Sequence, residues 1–225
     1  MFAKLFSRPE PAPEEAAYRR LVRKGYQPRS IVDVGAYEGN WTRLAKSCFP
    51  AASVLMCEAQ PGKLPLLQKV CGEFPDVRLE SAVIAARSGE TVDFSEMETG
   101  SSIFPENSNV ARTVRKLQTR TLDEVTAGLE GPSFLKIDVQ GAELEVLKGG
   151  ARFLDQCDLV QLEVALQDYN RGAPGFLEVI GYMNERQLVP YDFSGWSRPN
   201  GVDLVQVDIM FVPAGSPLRT RYFEF

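Results

Sequence analysis

Residues 134–150 read FLKIDVQGAELEVLKGG. An apolar run that opens as a buried strand gives way to Asp138, Gln140 and Glu143, and a helical period then runs into Gly149-Gly150. A strand-to-helix connection needs only a tight turn. Carboxylates at that point stand where open α/β sheets bind their ligands, beyond the carboxyl ends of the strands. Asp138 at the strand exit can orient an amine, accept a proton or hold a divalent cation. Glu143 falls in the first turn of the following helix, where the helix dipole favours a carboxylate in any case. Glu163 ends a second uncharged run, LVQL, and faces the same edge as Asp138. Asp138 and Glu163 are the leading candidates for a base or for a Mg²⁺ or Mn²⁺ site, since both ions prefer oxygen ligands. Glu143 is the second-rank candidate.

The chain has no histidine. That excludes a Ser-His-Asp triad, a Cys-His pair, an HExxH zinc site and a histidine base. Acid–base work falls to carboxylates, Lys, Tyr, Cys, a metal-bound group or the substrate.

A second chemical stretch is Asp33-Val34-Gly35-Ala36-Tyr37-Glu38-Gly39. Gly35 permits a sharp backbone turn and close approach of a ligand. Gly39 lets a helix begin near that ligand's negative end. The pattern is DxGxxxG and not GxGxxG, which would favour a pyrophosphate. Acids beside the turn repel a pyrophosphate but suit a cofactor with a cationic amino-acid tail, such as S-adenosylmethionine. Glu58 ends the next strand, where it can accept hydrogen bonds from a ribose diol. Lys136 alternates with Leu135 and Ile137 in a central strand and needs a buried partner, Asp33 or Glu163. Ser101 and Ser102 are polar candidates in a loop. Trp41, Tyr169, Tyr191, Phe193 and Trp196 are aromatic candidates for an acceptor pocket, with Trp196 favoured by its loop-like surroundings at 192–201.

These residues need a scaffold that brings strand ends together. Strand-like and helix-like runs alternate along the chain: 31–34, 53–59, 77–85, 133–139 and 157–166 read as strands, 90–97 as a shorter one and 117–125 as an edge strand followed by a helical turn, with helical runs between the main strands. This alternation predicts a mostly parallel sheet covered on both faces. The last strands, near 188–193 and 205–213, follow one another with no full helix between them, which predicts an antiparallel edge strand. A helix at 40–49 takes Asn40 as its cap. Residues 1–27 read as a leader with a short helix at 14–24, and 28–225 as one domain. Residues 98–116 have no apolar period and read as a lid-like loop.

The chain has 225 residues and a net charge of −5, which argues against a general nucleic-acid binder. Cys48, Cys57, Cys71 and Cys157 form no CxxC pair, as in a reduced, cytoplasmic protein. The FAKLF start carries no signal-peptide core, and no apolar run reaches the length of a membrane span.

Three segments, IVDVGAYEGNWT, CEAQPGKLPLLQK and above all FLKIDVQGAELEVLKGG, resemble the FkbM-type S-adenosylmethionine-dependent methyltransferases. TLDEV and GSSIF fit the same pattern. The resemblance covers about residues 28–165. It implies a class I methyltransferase fold: an α/β, Rossmann-like three-layer sandwich around a mostly parallel seven-stranded sheet. It implies S-adenosyl-L-methionine as donor and O-methylation of a hydroxyl on a sugar, polyketide or similar small-molecule acceptor. Carried over by position, Asp33, Gly35, Ala36 and Gly39 form the cofactor turn, Glu58 holds the ribose, Ala82 lies near the adenine, and Ser102 and Asp138 complete the cofactor site. Beyond Asp168 the match thins, and acceptor contacts are expected there. Two other readings fit the same fold: a non-catalytic binding module, and an NAD-linked oxidoreductase, against which the missing GxGxxG counts.

Overall fold

The computed structural model describes residues 12–168 and 170–220. Runs of Val, Ile and Leu become strands buried on both faces, and amphipathic runs between them become helices. In chain order these are α1 (Pro13–Arg23), β1 (Ser30–Val34), α2 (Asn40–Cys48), β2 (Ser53–Glu58), α3 (Leu64–Glu73), β3 (Val77–Ser81), β4 (Val83–Ile84) and β5 (Thr91–Glu96). After them come β6 (Thr113–Arg120), α4 (Leu122–Val125), β7 (Ser133–Ile137), α5 (Glu143–Lys148), α6 (Ala151–Leu154), β8 (Cys157–Ala165), α7 (Phe176–Glu185), β9 (Leu188–Ser197) and β10 (Gln206–Pro213).

Seven strands form one sheet in the order β3-β2-β1-β7-β8-β10-β9. β3, β2, β1, β7 and β8 pair in parallel. β10 runs antiparallel to β8 and to the outermost β9, which sets the antiparallel strand at that edge. The sheet grows outward in both directions from the β1–β7 pair. That reversal opens a crevice at the strands' carboxyl ends, the usual ligand position in such sheets. β1 and β7 are buried at every residue. A core lies on each face: Val32, Leu135 and Leu162 pack with α5 and α7 on one, and Phe134, Phe49 and Tyr18 with α1 and α2 on the other.

Several expectations change. The short helix of the leader, α1, packs against the sheet. Ala17, Tyr18 and Leu21 of α1 sit in the second core, and the Tyr18 hydroxyl donates to Gln161 Oε1 at 2.6 Å. The apolar stripe of α1 needs a cover, and the sheet supplies it. The FAKLF start, most of the leader and Tyr169 lie outside the described residues. The lid is shorter than 98–116. Residues 113–116 begin β6, a largely exposed strand whose polar sequence hides its pairing with β5. β6 is the middle strand of a small second sheet, β4-β6-β5. Residues 77–85 split at Ala82 into β3 and β4, which join different sheets. Residues 192–197 are strand and not loop, so Phe193 and Trp196 lie exposed on outermost β9. Asn40 is the first residue of α2, and its cap is Gly39 in the left-handed region. Among the described residues, no helix is long and apolar enough to cross a membrane, and all four cysteines are free.

Candidate active site

At the carboxyl ends of β1, β2 and β7 lies a cavity of about 570 Å³, a usual size for a small-molecule site. A strap, residues 97–112, forms part of its wall. Apolar wall residues include Ala82, Val83, Ile84 and Phe94, while Gly35, Glu58, Ser102, Asp138 and Glu163 supply polar wall.

Gly35 adopts φ +81°, and a Cβ there would stand 1.8 Å from the Asp138 carbonyl oxygen. The glycine is therefore demanded first by the exit of β7, which presses against the β1 turn. Glu58 is buried at the end of β2. Its Oε2 accepts from the Tyr37 N–H at 2.7 Å and its Oε1 from the Gln60 N–H at 2.8 Å. Burial raises its pKa, and those backbone donors oppose the rise. Each oxygen keeps a lone pair to offer a ligand.

Three expected cofactor contacts are not in the wall. Asp33 is fully buried behind the turn, where its carboxylate takes the Thr42 hydroxyl at 2.7 Å and Lys136 Nζ at 3.1 Å. Ala36 is buried in the second core. Gly39 faces α3: a Cβ there would meet Val70 Cγ2 at 2.6 Å. All three shape the turn from behind. The same strand alternation that aims one side chain at a ligand aims its neighbour into the core.

Lys136 is the centre of this support. It is buried, pairs with Asp33, donates to the Gly35 carbonyl at 3.1 Å, and has Asp138 Oδ2 at 3.7 Å. Burial alone would lower its pKa, but the carboxylates of Asp33 and Asp138 raise it above the ordinary lysine value. The Trp41 ring lies 5.6 Å from its ammonium, so Trp41 belongs to this layer and not to an acceptor pocket.

At the strand exits Asp138 and Glu163 come together. Gln140, at φ +53°, turns its amide between them and donates to Asp138 Oδ1 at 2.9 Å and to Glu163 Oε2. Gln206 of β10 adds a second donor to Glu163 at 3.0 Å. Burial, then the charges of Asp138 and Asp208, push Glu163 well above the ordinary carboxylate range. Asp208 sits opposite Glu163 in the β8–β10 register and is itself pushed up to about 7 by burial and by Asp138. Burial and like-charged neighbours both disfavour the ionised form of Glu163.

Glu143 has a different place. It is buried, and its Oε1 accepts from the N–H groups of Val139 and Gly141 at 3.2 and 3.1 Å. It closes the 138–141 turn from inside, and the helix begins at Glu143 and not at Gly141. Burial pushes its pKa up to about 7, against the pull of the backbone donors. Its role as a base candidate passes to Asp138, which it positions.

The strap is tied at both ends. Lys63 Nζ donates to Glu38 at 3.0 Å and Glu98 at 2.7 Å and lies 4.0 Å from the Tyr37 ring centroid. The Tyr37 hydroxyl donates to Glu98 at 2.8 Å. At the other end Glu106 bridges to Asn170, whose Nδ2 donates to the Phe104 carbonyl at 2.8 Å. Ser102 is buried between these ties, its Oγ accepting from the Phe104 N–H, and Ser101 likewise braces the strap through Met97 and Glu98.

Gln206, Asp208, Glu106, Lys63 and Glu98 have no counterpart in the sequence expectations. Only Asp208 leaves a legible trace, as a charge inside the apolar run VQVDIMFVP. A metal does not fit this site. Among the described residues, no group of three or more His, Cys, Asp or Glu is placed to hold one, and an amide N–H group stands between the two expected ligands.

A family model described as "Methyltransferase FkbM domain" matches residues 33–188. A 2-O-methyltransferase, NoeI, from Sinorhizobium fredii is 24% identical over 199 residues, which cover 80% of this chain and 82% of that protein. Among solved structures, a methyltransferase FkbM from Methylobacillus flagellatus superposes with a TM-score of 0.54 at 18% identity, covering 86% of this chain and 47% of that one. The chain thus spans about half the length of that structure. The O-methyltransferase TomG from Streptomyces achromogenes, solved in complex with SAM, superposes with a TM-score of 0.53 at 10% identity over 91% of this chain and 82% of TomG. These superpositions identify the fold.

Proposed function

The chain belongs to the FkbM methyltransferase family, and from that premise we propose that it uses S-adenosyl-L-methionine to methylate a hydroxyl of a small acceptor, a sugar or another natural product. The observation that carries this is that one cavity joins Glu58, at the end of β2, to Asp138, at the end of β7. A ribose diol needs an acceptor carboxylate at the first position, and a hydroxyl that is to be methylated needs a proton acceptor at the second. The relative described as a 2-O-methyltransferase supports transfer to oxygen.

The cofactor supplies a methyl group already activated by a sulfonium charge. In this reading, Glu58 holds the ribose hydroxyls, and Ala82, Val83 and Phe94 cover an adenine. The backbone of the Gly35 turn admits the amino-acid tail. Asp138 orients the acceptor hydroxyl and takes its proton. Lys136 and Gln140 hold the carboxylate in place. The strap keeps water out, so positioning and desolvation provide much of the rate.

Asp138→Asn tests the proton-accepting role. Methyl incorporation into the acceptor is expected to fall by about 10²-fold or more, the usual worth of a positioned base, with the melting temperature and S-adenosylhomocysteine binding retained. Full turnover in that variant would overturn the assignment.

A further inference from the structure

The cavity wall carries five carboxylates, Glu58, Glu98, Glu106, Asp138 and Glu163, and no lysine or arginine. Four of them are engaged. Glu58 takes two backbone N–H groups, Glu98 holds Lys63 and Tyr37, and Asp138 and Glu163 share Gln140. Glu106 differs. It is 7% exposed, and its backbone is fixed by the bridge to Asn170 and by Arg112, which donates to its carbonyl. Yet among the described residues no group donates a hydrogen bond to its carboxylate or forms an ion pair with it. Room has been left for that carboxylate: a Cβ at Gly100, also in the wall, would stand only 2.7 Å from Glu106 Oε2. Asn170, which anchors this end of the strap, packs against Gly141 in the turn that follows Asp138. Glu106 and Asp138 line the same cavity.

Glu106 lines the cavity, and its carboxylate oxygens are open to it, so water or a ligand there supplies their donors. We propose that Glu106 is a specificity-determining residue that receives a donor group, hydroxyl or ammonium, of the methyl acceptor, and that the acceptor brings no phosphate or carboxylate into the cavity. This rests on the methyltransferase reading and narrows it. An anionic acceptor would meet the carboxylates of Glu58 and Glu106, while Lys63 and Lys136 are already taken up by Glu98, Asp33 and Asp138. A neutral polyol or an amino sugar would meet acceptors for its donors and no repulsion.

The test uses the full chain and a matched set of probes: a neutral methyl hexoside, its 2-amino analogue, its 6-phosphate and the corresponding uronic acid. Labelled methyl transfer to each is measured with wild type, Glu106→Gln and Glu106→Lys, and S-adenosylhomocysteine binding is measured by calorimetry in parallel. Wild type is expected to methylate the neutral and amino probes and to prefer them to the anionic ones by about tenfold or more. Glu106→Gln is expected to raise KM for the amino probe by about tenfold with cofactor affinity unchanged, since a charge-assisted bond becomes a neutral one. Glu106→Lys is expected to shift preference toward the anionic probes. The proposal is overturned if wild type prefers an anionic probe, if neither the neutral nor the amino probe is methylated, if Glu106→Gln leaves KM unchanged, or if that variant loses cofactor affinity instead. Absence of S-adenosylhomocysteine binding by wild type would be a separate result, against the methyltransferase reading itself.

Discussion

Lys136→Met removes the only cation among the described residues that touches Asp33, and its effect can be worked from the buried layer beneath the first turn. Asp33 is 0% exposed, and its remaining partner, the Thr42 hydroxyl, cannot neutralise it. Breaking a buried pair and leaving one charge behind costs about 3–5 kcal/mol. A domain of this size loses roughly 2–4 °C of Tm per kcal/mol, so a fall of about 10 °C is expected. The Gly35 carbonyl also loses its donor, so S-adenosylhomocysteine should bind more weakly than to wild type. Asp33→Asn/Lys136→Met removes both charges, and methionine fills much of the lysine's volume. The double variant should recover most of the lost stability, because it leaves no unpaired buried charge at this pair and the asparagine at position 33 can still bond the Thr42 hydroxyl. Urea or thermal unfolding of all four proteins gives the coupling energy directly. A Lys136→Met variant within about 1 kcal/mol of wild type, or two strictly additive single substitutions, would refute the account of this layer.

Three further outcomes follow. Glu143 has its pKa raised to about 7 in the folded state, so its contribution to stability is full below about pH 4.5 and is lost as pH rises to about 7. At about 1.4 kcal/mol per unit this is about 3 kcal/mol. Glu143→Gln keeps the oxygen that accepts from Val139 and Gly141 and should flatten part of the stability–pH slope in that window, with Asp208, Glu163 and Glu58 leaving the rest; an unchanged slope in chemical denaturation would count against it. Lys63→Ala unties the strap from Glu98 and the Tyr37 ring. Because exposed pairs are worth under about 1 kcal/mol, stopped-flow release of S-adenosylhomocysteine should speed up by no more than about fivefold, and slower release would contradict a latch. Glu106→Gln and Asp138→Asn should separate in kinetics, the first acting on acceptor KM and the second on kcat; parallel changes in both would merge their roles.

How much of this was legible in the sequence follows from what each residue has to do. Apolar runs and glycine turns announced the central strands, since burial on both faces leaves no polar position to blur the pattern. Asp138, Glu163 and Glu58 were legible as charges at the ends of such runs, and all three line the cavity. Asp33 carried the same signal, but strand alternation directs it behind the turn, and sequence spacing alone does not distinguish the two sides. Glu143 looked like an ordinary first-turn acid because its true partners are backbone N–H groups two and four residues earlier. Strands near 90–97 and from 117 were legible, but their pairing into a second sheet and the start of β6 at Thr113 were not, because β6 is mostly exposed and therefore polar. Glu106 left no trace, since its meaning comes from Gly100 and Asn170, which the fold and not the sequence brings to it.

The claim that one cavity binds S-adenosylmethionine between Glu58 and the strand exit at Asp138 is tested most directly by calorimetric titration of S-adenosylhomocysteine into wild type and Glu58→Ala, with NAD as the competing ligand. The account predicts saturable one-to-one binding to wild type and no binding of NAD. It also predicts a loss of about 10- to 100-fold in Glu58→Ala, the worth of hydrogen bonds to a charged group. Binding of NAD in place of S-adenosylhomocysteine, or equal affinity in the two proteins, would contradict it.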